Sequence, residues 1–143
     1  MKMLVCIDGS DQSQKALNKA IEIATGCGVH DVSLLHVDES VRDITYPTGE
    51  NIQRTESMRA KIHKKQNEMM KEAAAKFEEH GIKVEALLKE GHPSQTISKT
   101  ANEGNFDMVI LGSRGLGGLQ KVFLGSVSNA VIQETKASVL VVK

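Results

Sequence analysis

Apolar and polar residues follow each other along this chain in a pattern whose period changes from one segment to the next. Short, almost continuous apolar runs predict strands at 2–7, 31–37, 83–89, 107–111 and 137–142. Runs of this kind are typical of strands buried on both faces of a parallel sheet. Apolar residues at helical spacing predict helices after Ser10, over 55–80, after Pro93 and over 126–135. The alternation predicts an α/β fold with right-handed crossovers and helices on both faces of the sheet.

The long helix over 55–80 has one apolar face, formed by Met58, Ile62, Met69, Ala73 and Phe77. A stripe that contains methionine can bind a partner, but at this spacing we interpret it as part of the core.

Capping residues mark the ends of the first helix. Ser10 or Asp11 can accept a backbone N–H at its start, and Gly26 and Gly28 favour its termination.

Residues 38–54 are mostly polar and contain Pro47 and Gly49. Proline and glycine favour turns over regular structure. We therefore predict a loop over 38–54 and expect it to be the mobile segment of the chain.

The composition of the chain narrows the range of its possible partners and locations. The 143 residues carry 18 basic and 18 acidic side chains, and there is no tryptophan. A neutral chain with few aromatic rings argues against a nucleic-acid partner, and the absence of a long apolar run argues against a membrane span. Cys6 and Cys27 lack CxxC spacing, so we expect no disulfide and a cytoplasmic location.

Polar and glycine residues stand where the predicted strands end. The first strand ends at Asp8-Gly9-Ser10, the second at Val37-Asp38, the third at Lys89-Glu90-Gly91 and the fourth at Gly112. In open parallel sheets, ligands bind beyond these carboxyl ends, where the strand order reverses. The chain as a whole therefore predicts a ligand site at this edge.

The segment 107–128 has the character of a phosphate-binding loop. An apolar strand leads into a loop with glycines at 112, 115, 117, 118 and 125, and Ser126 opens a helix. Glycines let backbone N–H groups approach a ligand, and a helix N-terminus attracts phosphate. We predict Ser126 to be the N-cap, a role compatible with phosphate binding. Arg114 and Lys121 either contact phosphate or are solvated loop charges.

Three common signatures are absent from the chain. No Gly-Lys-Ser or Gly-Lys-Thr exists for a Walker A loop. The GxGxxG dinucleotide pattern that would begin at Gly115 fails at Gln120, and the loop does not follow the first strand. A nucleophile elbow at Ser113 would need glycine in place of Leu111. These failures argue against a nucleophilic hydrolase.

Gly112-Ser113-Arg114-Gly115, followed after nine residues by Gly125-Ser126, is similar to the signature of the ATP-binding universal stress proteins. The resemblance extends over residues 1–143, from the opening MKMLVCIDGS through LLHV to the terminal SVLVV. It implies one domain with a doubly wound, five-stranded parallel sheet in the order 3-2-1-4-5.

The resemblance also implies ATP as the ligand, with Mg²⁺ at Asp8 when the metal is bound. Adenine would lie near Ile7 and Val37, read by backbone groups of the second strand. The expected nucleotide-binding residues are Ile7, Asp8, Gly9, Val37, Gly112, Arg114, Gly115, Gly125, Ser126 and Val127. Of these, Arg114 rests on charge and position. His36 is interpreted as a core histidine, and His92 as a helix cap.

The resemblance places the apolar strand 137–142 at a sheet edge, where pairing with a second copy would cover it. A covered edge within a monomer is the alternative. The functional prediction is a cytoplasmic, ATP-binding stress-response or signalling homodimer with an unidentified protein partner. One alternative is an ATPase or related adenine-nucleotide hydrolase, which would be slow because no general base is evident. The other alternative is a nucleotide-free interaction module.

Overall fold

A computed structural model describes residues 1–40, 52–113 and 124–143, the first four residues of the second range by their backbone alone. Its strands are β1 (Lys2–Cys6), β2 (Asp31–Asp38), β3 (Val84–Glu90), β4 (Met108–Gly112) and β5 (Ser138–Val142). Its helices are α1 (Asp11–Cys27), α2 (Ile52–Glu78), α3 (Pro93–Glu103) and α4 (Ser126–Glu134). The strands form one parallel sheet in the order β3-β2-β1-β4-β5, which confirms the predicted fold class and strand order.

The apolar strands are buried because helices cover both faces of the sheet. Successive residues of a strand point to opposite faces, so Leu34 lies in the core beneath α1 and α2, and Leu35 in the core beneath α3 and α4. The same division separates Val5 from Leu4 in β1. Double coverage explains why these strands read as continuous apolar runs.

The ends of α1 follow the predicted chemistry. The Ser10 hydroxyl accepts the Ser13 N–H at 3.1 Å, and Gly28 adopts the left-handed conformation with φ of 64°. Glycine reaches that conformation without steric cost, so it ends the helix where the sequence predicts.

The prediction for 38–54 is wrong at both margins. β2 continues through Asp38, and α2 begins at Ile52. Asp38 stays in the sheet because it pairs with Glu90 of β3. Residues 41–51 lie outside the described part of the chain, so the predicted mobility of this loop stays a prediction.

The apolar stripe of α2 is core only in its C-terminal half. Ala73 and Phe77 are buried together with Met70, whereas Met58 is 66% exposed. A helix of this length spans about 40 Å, more than the strands it covers. Residues 56–61 are all exposed, so assigning Met58 to the core was wrong.

β5 occupies one edge of the sheet, as the resemblance implied. Its residues Leu140 and Val142 pack on the α1–α2 side, and Val139 and Val141 pack on the α3–α4 side. None of the helices in the described ranges has the length and apolar character needed to cross a bilayer.

Candidate functional site

The carboxyl end of β1 forms the centre of the predicted ligand edge. Ile7 is buried, and its N–H donates to the Leu35 carbonyl at 2.9 Å. The Asp8 carboxylate is partly buried and accepts the Ser10 N–H at 2.9 Å. Gly9 has a φ of 83°, and an added Cβ would lie 3.3 Å from the Met69 sulfur. This turn therefore favours glycine for its backbone conformation, and a larger residue would also have to displace the Met69 side chain of α2 slightly.

Val37 directs its peptide groups to the side of β2 on which β1 lies. Successive residues of a parallel strand direct their N–H and C=O groups to opposite neighbours. The Leu35 carbonyl accepts from Ile7 on the β1 side, and the Asp38 carbonyl accepts from Gly91 at 3.0 Å on the β3 side. Val37, two residues after Leu35, therefore faces β1. Within the described residues no hydrogen bond reaches its N–H or C=O, so a donor and an acceptor stand open side by side.

His36 is buried, as predicted for a core histidine, but it also contacts the ligand edge. Its Nδ1 lies 2.8 Å from the Ile7 carbonyl oxygen. A carbonyl can only accept, so Nδ1 must carry the hydrogen. The imidazole thus ties the end of β1 to β2.

Asp38 forms a buried polar contact that the sequence did not reveal. Its carboxylate accepts the Ser40 N–H at 2.8 Å. Burial alone would raise the pKa of Asp38, but hydrogen bonds from Ser40 and Gln66 and the nearby positive charge of His63 outweigh burial and lower it. Asp38 is therefore ionised at neutral pH and ties α2, through Gln66, to the carboxyl end of β2.

Hydrogen bonds join the end of β4 to the start of α4. The Gly125 N–H donates to the Ser113 carbonyl at 2.7 Å, and the buried Ser128 hydroxyl donates to the Gly112 carbonyl at 2.9 Å. A Cβ on Gly112 would lie 2.8 Å from the carbonyl carbon of Gln12. The N-terminus of α1 therefore packs directly against the β4 backbone.

The predicted N-cap is displaced by one residue. Gly125 is the N-cap of α4, with extended backbone and no side-chain cap, and Ser126 is the first helical residue. The Ser126 side chain is exposed, and Val127 packs against the core on the α3–α4 side. The buried serine of this turn is Ser128, whose hydroxyl holds the β4 carbonyl.

The structure brings most of the predicted residues to one edge. β1 lies between β2 and β4, so Ile7, Asp8 and Gly9 lie between Val37 on one side and Gly112 on the other. Arg114, Gly115 and Lys121 fall within 114–123, outside the described residues, and their roles stay predictions.

Cys6 and His92 also lie near this edge. Burial raises the pKa of the Cys6 thiol to about 12, and the Asp8 carboxylate adds to the rise, so the thiol is unreactive. His92 occupies the N-cap position of α3 without a side-chain cap; its Nδ1 instead lies 3.0 Å from the Ser94 hydroxyl. The described residues contain no group of three or more His, Cys, Asp or Glu side chains placed to hold a metal ion.

Comparison with known proteins shows which family has this arrangement. Residues 1–143 match the sequence model of the universal stress protein family. This chain belongs to that family. The universal stress protein YxiE of Bacillus subtilis is 34% identical over 149 residues, which cover 99% of this chain and 98% of YxiE.

Solved structures of the family share the fold. The structure of MJ0577, a universal stress protein of Methanocaldococcus jannaschii, superposes with a TM-score of 0.83 at 28% identity and covers 99% of this chain and 94% of its own. A family member from Arabidopsis thaliana with AMP bound has a TM-score of 0.69 at 21% identity, covering 100% and 91%. At that lower identity the likeness concerns the fold alone.

Proposed function

We propose that this universal stress protein binds ATP at the carboxyl edge of its sheet and acts in the cytoplasm as a nucleotide-dependent stress-response or signalling homodimer. The observation that carries the proposal is the N–H and C=O pair of Val37, which points to the β1 side next to Ile7 and has no hydrogen-bond partner within the described residues. It lies on the same edge as the two ends of the glycine signature, Gly112 and Gly125-Ser126.

Adenine fits the Val37 groups by hydrogen-bond pattern. Its N1 accepts and its exocyclic N6 amine donates, which complements one backbone N–H beside one C=O. A purine with a 6-keto group reverses both roles and would leave two mismatched pairs. The side chains of Ile7 and Val37 offer apolar contact to the base. The Arabidopsis structure with AMP shows that a related protein of this fold holds an adenine nucleotide.

The phosphates are assigned to the glycine signature. α4 begins at Ser126 with an exposed side chain, and Gly125 at its N-cap supplies no side-chain hydrogen bond to the first turn. Free N–H groups at a helix N-terminus favour anions. Gly112, Gly115 and Arg114 are proposed to complete the phosphate site.

A magnesium ion would be held at Asp8 together with the phosphates. Mg²⁺ commonly binds through one or two carboxylates, substrate phosphate oxygens and retained waters. One Asp8 oxygen accepts the Ser10 N–H, which fixes the carboxylate at the edge. The second oxygen, which has no hydrogen bond within the described residues, is proposed to bind the ion. A cluster of protein ligands is not required for this mode of binding.

The first test uses two glycines of the same loop. Replacing Gly115, a signature position, with valine is expected to weaken ATP binding by about 100-fold or more, because a side chain there would keep backbone N–H groups from the phosphate. The matched control is Gly117→Val, which places the same side chain outside the signature. Isothermal titration with ATP and with ITP, whose base carries the 6-keto group, measures both the loss and the base preference.

Nucleotide that copurifies with the wild-type protein separates binding from hydrolysis. The protein is purified without added nucleotide and heat-denatured, and mass spectrometry identifies what is released. ATP near one per subunit supports the proposed function, whereas ADP or AMP favours the slow ATPase. No released nucleotide together with no ATP binding on titration would refute the proposed site.

Dimerisation is proposed to occur through β5. The Ser138 N–H and the Val142 carbonyl bond to the β4 side, so the N–H groups of Val139 and Val141 face away from the sheet. An apolar edge with open peptide groups favours pairing with a second copy about a two-fold axis.

A single edge substitution tests the dimer. Val141→Pro removes an outward N–H without removing a bond to β4 and is expected to weaken dimerisation by about tenfold or more. Val141→Thr keeps the N–H and the branched shape, and serves as the control. Sedimentation equilibrium measures the dissociation constants. Dimers of unchanged affinity in Val141→Pro, or a wild-type monomer, would contradict pairing through β5.

A further inference from the structure

The hydrogen-bond ladder between β1 and β2 is interrupted at the candidate site. The last regular rung is the bond from the Ile7 N–H to the Leu35 carbonyl. In a regular parallel ladder the next rung would join the Val37 N–H to the Ile7 carbonyl. The His36 imidazole occupies that carbonyl instead, with Nδ1 at 2.8 Å, and the Val37 N–H has no partner within the described chain.

We propose that His36 is the positioning residue that holds the Val37 peptide groups open for the purine base. This inference rests on the proposed function and deepens it, because it names the group that creates the purine site. His36 satisfies the Ile7 carbonyl from its own side chain, so the regular hydrogen-bond ladder between β1 and β2 ends one rung earlier than it otherwise would. The freed N–H and C=O of Val37 are then available to a ligand.

The cost of leaving the buried Ile7 carbonyl without a donor explains why the His36 side chain matters. A buried carbonyl without a donor is destabilising, so Ile7 recruits the nearest available N–H. With His36 present, that donor is the imidazole. Without it, the nearest donor in the ladder is the Val37 N–H, and closing that bond would remove half of the recognition pair.

Three substitutions of His36 distinguish the donor from the volume it fills. The Asn side chain places an N–H at the same number of bonds from Cβ as Nδ1, whereas Gln places it one bond further, where Nε2 stands. His36→Asn should therefore keep the Ile7 bond, and His36→Gln should lose it although Gln fills more of the space. His36→Leu removes the donor altogether.

Amide hydrogen exchange tests the positioning without any ligand. In the wild-type protein and in His36→Asn, we expect the Val37 amide to exchange rapidly. In His36→Leu and His36→Gln, we expect the exchange rate of the Val37 amide to fall by about tenfold or more, because this N–H then bonds to the Ile7 carbonyl. The amides of Leu34 and Val5, within the regular part of the sheet, report whether the fold is intact.

Titration with ATP and ITP tests the consequence for recognition. His36→Leu and His36→Gln should bind ATP about tenfold more weakly, and their preference for ATP over ITP should become smaller because only the Val37 carbonyl still distinguishes the two bases, while His36→Asn stays within about threefold of wild type. A purely structural role would weaken ATP and ITP alike.

Each outcome decides one of the two proposals. Unchanged Val37 exchange in all three variants, or ATP binding that Gln preserves and Asn does not, overturns the role of His36. If the wild-type protein binds neither nucleotide while Val37 exchange follows the donor as described, ATP binding is refuted. His36 then controls only where the hydrogen-bond ladder between β1 and β2 ends, and the proposal that it positions a purine is refuted.

Discussion

Replacing Phe77 with alanine is expected to lower the free energy of unfolding by about 3–5 kcal/mol. Phe77 is completely buried and is the largest fully buried side chain among the described residues. It joins α2 to the core beneath α1. Its carbonyl also accepts the Ile82 N–H at 3.1 Å, where the chain leaves α2 for β3. The substitution would open a cavity at the point where helix, turn and sheet meet.

Urea denaturation followed by circular dichroism measures this loss. The matched control is Met58→Ala on the same helix, a residue that is 66% exposed. That change is expected to alter the free energy of unfolding by about 0.5 kcal/mol or less. Equal effects of the two substitutions would show that the C-terminal half of α2 does not form the core described above.

The fold could be predicted because the pattern of each apolar run indicates whether its strand is buried on one face or on both. The run MLV in β1 has no polar alternation, which is typical of a strand covered by helices on both faces. Ser10 and Gly28 mark the ends of α1 through local chemistry that depends on neighbouring residues alone. Such signals can be read from the sequence without knowledge of the tertiary structure.

The limits of the prediction arise where burial depends on distant parts of the chain. Met58 and Met70 lie on the same long helix, and only the position of the sheet decides that one is exposed and the other buried. Helical spacing alone cannot locate the end of the sheet. The starting residue of α2 was misplaced for a related reason, since one apolar residue followed by Gln53 and Arg54 is equally compatible with a loop or with an exposed helix.

The candidate site was predicted as a set of strand ends, but its internal contacts were not. The bond from His36 to the Ile7 carbonyl joins residues 29 positions apart. Gln66 reaches Asp38 from the middle of α2. Neither pairing has a local sequence signal. The spacing that could have suggested them is the position of His36 and Asp38 on either side of Val37, at the end of a buried strand.

Replacing Gly112 with alanine is expected to destabilise the protein and to weaken ATP binding together. The added methyl group would lie 2.8 Å from both the carbonyl carbon and the Cβ of Gln12, and 3.0 Å from the Ser13 nitrogen. Two of these atoms belong to the backbone of the first turn of α1, so a side-chain rotation cannot relieve the contact. Overpacking of this kind costs about 1–3 kcal/mol.

The same clash would disturb the ligand edge, because the Ser13 N–H is the group capped by Ser10, and Ser10 in turn donates to Asp8. Urea denaturation gives the stability, and isothermal titration gives the ATP affinity, which we expect to fall about tenfold. The control is Gly26→Ala in α1, where an added Cβ meets no atom within 4 Å. Alanine there should stabilise the helix by about 0.5–1 kcal/mol and leave ATP binding unchanged. Comparable stability of the Gly112 and Gly26 variants would mean that α1 does not press against β4. Loss of stability in Gly112→Ala without loss of affinity would separate this contact from the proposed nucleotide site.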